Sequence, residues 1–245
     1  MQPALLSLPS CLHCSTAFFI LALAIFMVAA HTGIAAIAAQ RTSVSAKTKI
    51  IIPFVIAAFL ASWLAVAIVV GDGANFPIPT ESRQVASGLV ALIPVVIAVI
   101  ALFTSKNLRA INAGTPSAWL IGIQTYRVAG IMFIYPFVTY GILPAGFGYP
   151  AGIGDALTGI FAPIVALMVA QNRAHALKSA VAWNLFGMLD LIDATATALI
   201  FQAPVLGIYP IALVPLFLGP PLGILTHVLS LRNLAVTRSG ALVTA

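Results

Sequence analysis

Apolar runs long enough to cross a bilayer fill almost the whole chain, separated by short loops. They cover about Ser15 to Ala39, Ile50 to Val70, Val85 to Phe103, Ser117 to Gly141, Gly152 to Ala170, Ala180 to Phe201 and Gly207 to Leu231. A transmembrane helix needs about 20 such residues. In lipid every backbone polar group must be satisfied within the segment, so the runs read as helices. Only 7% of the 245 residues are charged, against about 25% in a soluble domain. Too little polar surface remains for a water-soluble domain. The expectation is a single all-α domain, residues 1–245, of seven transmembrane helices.

The charges that do occur are ordered. Of 11 Lys and Arg, all but Arg83 and Arg127 fall in alternate loops and the C-terminal tail: Arg41, Lys47, Lys49, Lys106, Arg109, Arg173, Lys178, Arg232 and Arg238. Asp72 and Glu81 lie on the other side. The positive-inside rule then puts the N-terminus outside and the C-terminus in the cytoplasm. The same distribution explains the net charge of +6 without nucleic acid, because basic residues confined to short loops are orientation signals. High alanine content and short loops point to a bacterial plasma membrane.

The N-terminus carries Cys11 and Cys14 around His13. C-x-x-C pairs can be redox-active or bind metal. Three ligands fall short of the four of a structural zinc site, so the pair reads as small residues ahead of the first span. A cleaved signal peptide is not expected, since no basic segment precedes the run Ala17 to Ala39.

Four charges fall within the apolar runs or at their margin: Arg127, Asp155, Asp190 and Asp193. Charge at membrane depth is expensive, which makes each a candidate functional residue. Trp183, Asp190, Asp193 and Thr197 recur at spacings of seven, three and four and are expected on one helix face. Counting 1.5 Å per residue from the cytoplasmic end puts Arg127 and Asp190 both roughly 15 Å deep. A buried pair between Arg127 and one of the two aspartates follows, with Gln124 one turn away and Tyr126, Tyr135 and Tyr140 adding hydroxyls. One arginine neutralises one acid, so the surplus must hold a proton, bind a cation or face water. The competing expectation is a helix tie through polar packing.

Pro144–Gly148 (PAGFG) recurs as Pro150–Gly154 (PAGIG), which reads as a structured outer loop that re-enters slightly, or as a plain hairpin loop. Asp155 then falls at the mouth of span 5, where an aspartate following Gly152 and Gly154 is expected to cap the helix. Pro136 is expected to kink span 4. His31 and His227 lie in the cytoplasmic halves of the first and last spans and form a weak candidate pair of haem ligands. The alternative for each is a hydrogen bond to a helix carbonyl or hydroxyl.

Seven spans with an outside N-terminus resemble the rhodopsin plan, in topology alone. A retinal Schiff base needs a lysine midway along the last span. That span has none and Lys178 lies in a loop, so a retinal chromophore is argued against. The seven-span SWEET sugar transporters share the orientation, but no paired repeat is visible here. H-E-x-x-H and G-x-S-x-G motifs are missing, which argues against an enzyme. The expected function is to move or sense a proton or small solute through an Arg/Asp site. The alternatives are a structural or accessory membrane subunit and an intramembrane enzyme or b-type cytochrome.

Overall fold

A computed structural model describes residues 10–72, 80–138, 140–203, 205, 209 and 211–243. Eight α-helices occur among them: α1 (Ser10–Gln40), α2 (Ala46–Gly71), α3 (Thr80–Thr104), α4 (Lys106–Gly114), α5 (Ser117–Gly122), α6 (Ala145–Ala170), α7 (Ala176–Ile200) and α8 (Pro220–Val243). The protein is all-α. Six segments are long and apolar enough to cross a membrane: Thr16–Gln40, Ala46–Gly71, Val85–Thr104, Ser117–Tyr135, Ala145–Ala170 and Val214–Val236. This is a multi-pass membrane protein. Helix α7 has 25 residues but is more polar than those six. Its acids and Asn184 leave it outside the set.

Two ends of the bundle differ. At one, Ala38 and Ala39 of α1 pack on Ile111 of α4, and the Arg41 guanidinium lies 4.4 Å from the Trp119 ring centroid. The same end gathers Ile121 of α5, Val165 of α6, Ala180 and Trp183 of α7, and Leu234 of α8 in one apolar cluster. Arg41 and Arg173 in the loops, and Lys47, Lys49, Lys106, Arg109 and Lys178 in the first turns of α2, α4 and α7, all gather here; this is the basic end. Asn112 of α4 and Asn233 of α8 clasp one another beside it, Nδ2 of Asn112 donating to Asn233 Oδ1 at 2.6 Å. The other half is a larger core of Ile20, Met27, Trp63, Phe133, Leu143, Phe147, Leu213 and Phe217. Trp63 stands edge-on to Phe217 at 5.2 Å, and Phe133 edge-on to Phe147 at 5.7 Å. The Trp63 indole N–H also donates to Val90 O and Leu216 O at 3.0 and 3.1 Å, which ties α2 to α3 and to the segment before α8.

Several expectations are corrected. The glycine repeat is neither a re-entrant nor a hairpin loop. Helix α6 starts at Ala145, with Pro144 as its N-cap, and runs through both copies of the repeat. Glycine is tolerated in this helix because neighbours press against it. A Cβ at Gly146 would meet the Phe201 ring, one at Gly148 would meet Val138, and one at Gly152 would meet Ile134 and the Gly130 carbonyl. Small residues at such faces let membrane helices pack backbone to backbone. Asp155 is therefore not a cap but lies about 15 Å inside α6, counted from Ala145 at 1.5 Å per residue.

The fourth span is not one helix bent at Pro136. After α5 the chain tightens into a 3₁₀ stretch, Ile123–Gly130, and then widens into a π stretch, Phe133–Val138. A proline lacks the N–H that a regular α-helix would use at this point. The last span begins later than expected. A second π stretch, Val214–Leu218, precedes α8, which starts on Pro220 and Pro221. The side chains of Cys11, His13, Cys14, Glu81, Arg83 and Arg238 lie outside the described residues.

Candidate functional site

Arg127 closes the 3₁₀ stretch and is 2% exposed. Its planar guanidinium carries five donors and no acceptor, and three neighbouring helices meet those donors. Nε donates to Asp155 Oδ1 of α6 at 2.6 Å. Nη2 donates to Asp190 Oδ2 of α7. Nη1 donates to the Gly187 carbonyl and to His227 Nε2 of α8, both at 3.2 Å.

That last contact fixes the histidine. Arginine cannot accept, so Nε2 must, and the imidazole is neutral with its hydrogen on Nδ1. Nδ1 lies 3.0 Å from Asn184 Oδ1 and donates to it. Asn184 Nδ2 in turn donates to Ala180 O at 2.7 Å and Ser230 Oγ at 3.2 Å. One continuous network therefore runs Asp155–Arg127–Asp190 and Arg127–His227–Asn184–Ser230.

Glycines make the approach possible. A Cβ at Gly130 would strike Asp155, one at Gly154 would fall on the Asp190 carboxylate, and one at Gly187 would fall on His227. Gly159 lets the α6 backbone lie against the backbone of Arg127 and Val128. Asp190 and Asp155 each sit ten positions from the helix end at the apolar half, Ile200 and Ala145, so antiparallel α6 and α7 present the two acids at one depth. A cavity of about 40 Å³ adjoins Arg127 and Asp155, walled by Tyr126, Phe19, Phe133 and Leu218. A site needs about 10–15 Å³ to hold one water, so this one has the volume of about three.

The residues singled out from the sequence are divided by the fold. Arg127, Asp155 and Asp190 come together, and Asp155, assigned to a helix cap, bonds the guanidinium as Asp190 does. Asp193 does not join them. It sits 60° round α7 from Asp190, at 100° per residue, and is exposed. The shared face expected for Trp183, Asp190, Asp193 and Thr197 thus splits into buried and outward sides. Gln124 is fully buried and its Nε2 donates to Gly223 O at 3.1 Å. The Tyr126 hydroxyl donates to Leu218 O. Tyr135 and Tyr140 face outward.

The two candidate haem histidines are each engaged in hydrogen bonds through both ring nitrogens. His31 spends Nδ1 on Met27 O at 2.8 Å and meets Thr226 Oγ1 with Nε2 at 3.2 Å, while both His227 nitrogens belong to the arginine network. Neither imidazole has a nitrogen free for iron. Among the described residues no group of three or more His, Cys, Asp or Glu could hold a metal ion.

Sequence reading missed Asn184, Ser230 and the glycines at 130, 159 and 187. The signal for Ser230 was present: His227, Ser230 and Asn233 recur every third residue along α8, the spacing of one helix face.

The model of a domain of unknown function, DUF8737, matches residues 84–235. The chain belongs to that family. The DUF8737 match takes in α3 through most of α8 and holds every member of the network, whereas α1 and α2 precede it. No curated protein and no solved structure was found to be similar to the chain.

Proposed function

We propose that this DUF8737 protein handles a proton at the Arg127 centre as part of transport or sensing across the membrane. The observation that carries the reading is one guanidinium buried between two carboxylates. The trio sums to −1, and His227 adds no charge because Arg127 holds it neutral. Surplus charge at such depth is costly, and one proton on the Asp155–Asp190 pair removes it. The two acids divide the guanidinium, Asp155 on Nε and Asp190 on Nη2, and the exchanging proton is held between them.

The reading includes a seventh crossing by α7 and an N-terminus outside. Support for the crossing comes from packing: α6 ends and α8 ends at the same basic end, so the chain between them must return across the bundle. Support for the orientation is the gathering of the basic loops at that end.

Purified protein in proteoliposomes with an internal pH dye, compared with Asp190→Asn, tests the function. The expectation is proton movement, with or without a co-solute from a panel, that Asp190→Asn abolishes while the fold survives. Infrared difference spectra should show a protonated carboxyl band that the same substitution removes. A variant that keeps both fold and flux reduces the centre to a helix tie.

A further inference from the structure

The buried polar groups are not spread evenly about the Arg127 centre. Among the described residues, five have a buried side-chain atom without a protein hydrogen-bond partner: Thr32, Ser87, Gln124, Thr158 and Arg232. All but Ser87 lie on the basic-end side of the centre. Gln124 precedes Arg127 on the strand of chain that enters from that end. Thr158 follows Asp155 by a turn of α6 toward Ala170. Thr32 is on the stretch of α1 leading to Gln40, and Arg232 is midway along α8, five residues past His227. Gln124 and Thr158 are fully buried. The bonded groups share the bias: His227, Asn184 and Ser230 step from Arg127 toward the basic end, and Asn233 with Asn112 stands a turn beyond Ser230.

Among the described residues the other side shows no such column, with only Asp72 and Ser87 buried there. One turn from Asp155 in that direction lies Ala151, then Phe147 packed on Phe133, with Leu143, Leu213, Phe217 and Trp63 around them. The small cavity beside Asp155 lies on this side, but its far walls, Phe19, Ile20, Leu23, Met132 and Ile211, are apolar, and apolar cavities stay dry.

Buried polar atoms are almost always satisfied by protein or by ordered water. An oxygen such as Gln124 Oε1, enclosed and unmatched, costs about 1–3 kcal/mol if nothing meets it. We infer that water reaches the Arg127 centre from the basic end alone, along a column bounded by Gln124, Thr158, Asn184, His227 and Ser230, and that the aromatic half is a dry seal. This rests on the proton reading for its purpose: it makes the centre a one-sided port, filled and emptied from the face that carries the basic loops until the seal opens.

The test is thiol accessibility in the full chain. Cys11→Ser and Cys14→Ser give a cysteine-free background, to which Ser230→Cys, Thr158→Cys or Ala151→Cys is added. Lys106→Cys, at the exposed start of α4, identifies which vesicle face presents the basic end. Vesicles of either orientation are treated with silver ion, then denatured and alkylated with a fluorescent maleimide. Expected is at least fivefold protection at positions 230 and 158 from the basic end only, and no protection at position 151 from either face. Protection at position 151 from the opposite face overturns the inference, as does protection at 158 from both faces or from neither in protein that elutes like wild type. The readout needs no transport. One-sided labelling with unchanged flux in Asp190→Asn leaves the column standing and removes the proton reading; two-sided labelling with lost flux does the reverse.

Discussion

Gly154 of α6 lies so close to Asp190 of α7 that a methyl group on its Cα would take the place of the carboxylate. The next residue, Asp155, bonds Arg127. Two adjacent positions of one helix therefore supply, in turn, the room for one acid and the other acid itself. Substituting Gly154 by Ala should push Asp190 off Nη2 of Arg127 although no polar atom is removed. Overpacking of this kind costs about 1–3 kcal/mol. The expected outcome is a lowered Tm in detergent, with Gly33→Ala, where the added methyl meets open space, close to wild type.

Arg127→Ala should be the most damaging single change in the centre. It strands two carboxylates and leaves His227 Nε2 and the Gly187 carbonyl without their donor. Breaking a buried pair by removing one partner costs about 3–5 kcal/mol. Asp155→Asn and Asp190→Asn should be milder and non-additive with it, because members of one network couple. Thermal unfolding of single and double variants gives the coupling; strict additivity would contradict the network.

Asp193→Asn separates the exposed acid from the buried pair. Asp193 bonds neither Arg127 nor its partners, and charge at membrane depth is costly, so the substitution should leave Tm unchanged or raise it. A loss as large as that of Asp190→Asn would place Asp193 in the centre after all.

Asn184→Ala should disturb the histidine while leaving the Arg–Asp contacts in place. His227 Nδ1 and Ser230 lose their link, and a buried group left unmatched costs about 1–3 kcal/mol. Nitrogen chemical shifts of a histidine-labelled sample should show His227 losing its single Nδ1–H form. A spectrum identical to wild type would mean that Asn184 does not hold the ring.

Orientation is checked by fusions. With the basic loops inside, a C-terminal alkaline phosphatase should be inactive and a C-terminal fluorescent protein should glow. An active phosphatase would overturn either the seventh crossing or the direction.

What the chain determined by itself was its solvent. Runs of apolar residues with so few charges leave only helices in lipid, and the alternation of Arg41, Lys47 and Lys49 with Asp72 already marks two unlike ends. Arg127 and Asp190 stood out for the same reason, since hydropathy makes any mid-span charge conspicuous. Tertiary structure alone decided the pairing. Asp155 looked like a cap because glycine and proline argue locally for a loop; the repeat is helical because Ile134, Val138 and Phe201 pack against it, and that contact energy lies between elements. Asp190 and Asp193 are one turn apart and alike in sequence. A rotation of 60° around α7 turns one inward to a guanidinium and the other outward, and only the packing of α6 and α8 against α7 sets that rotation.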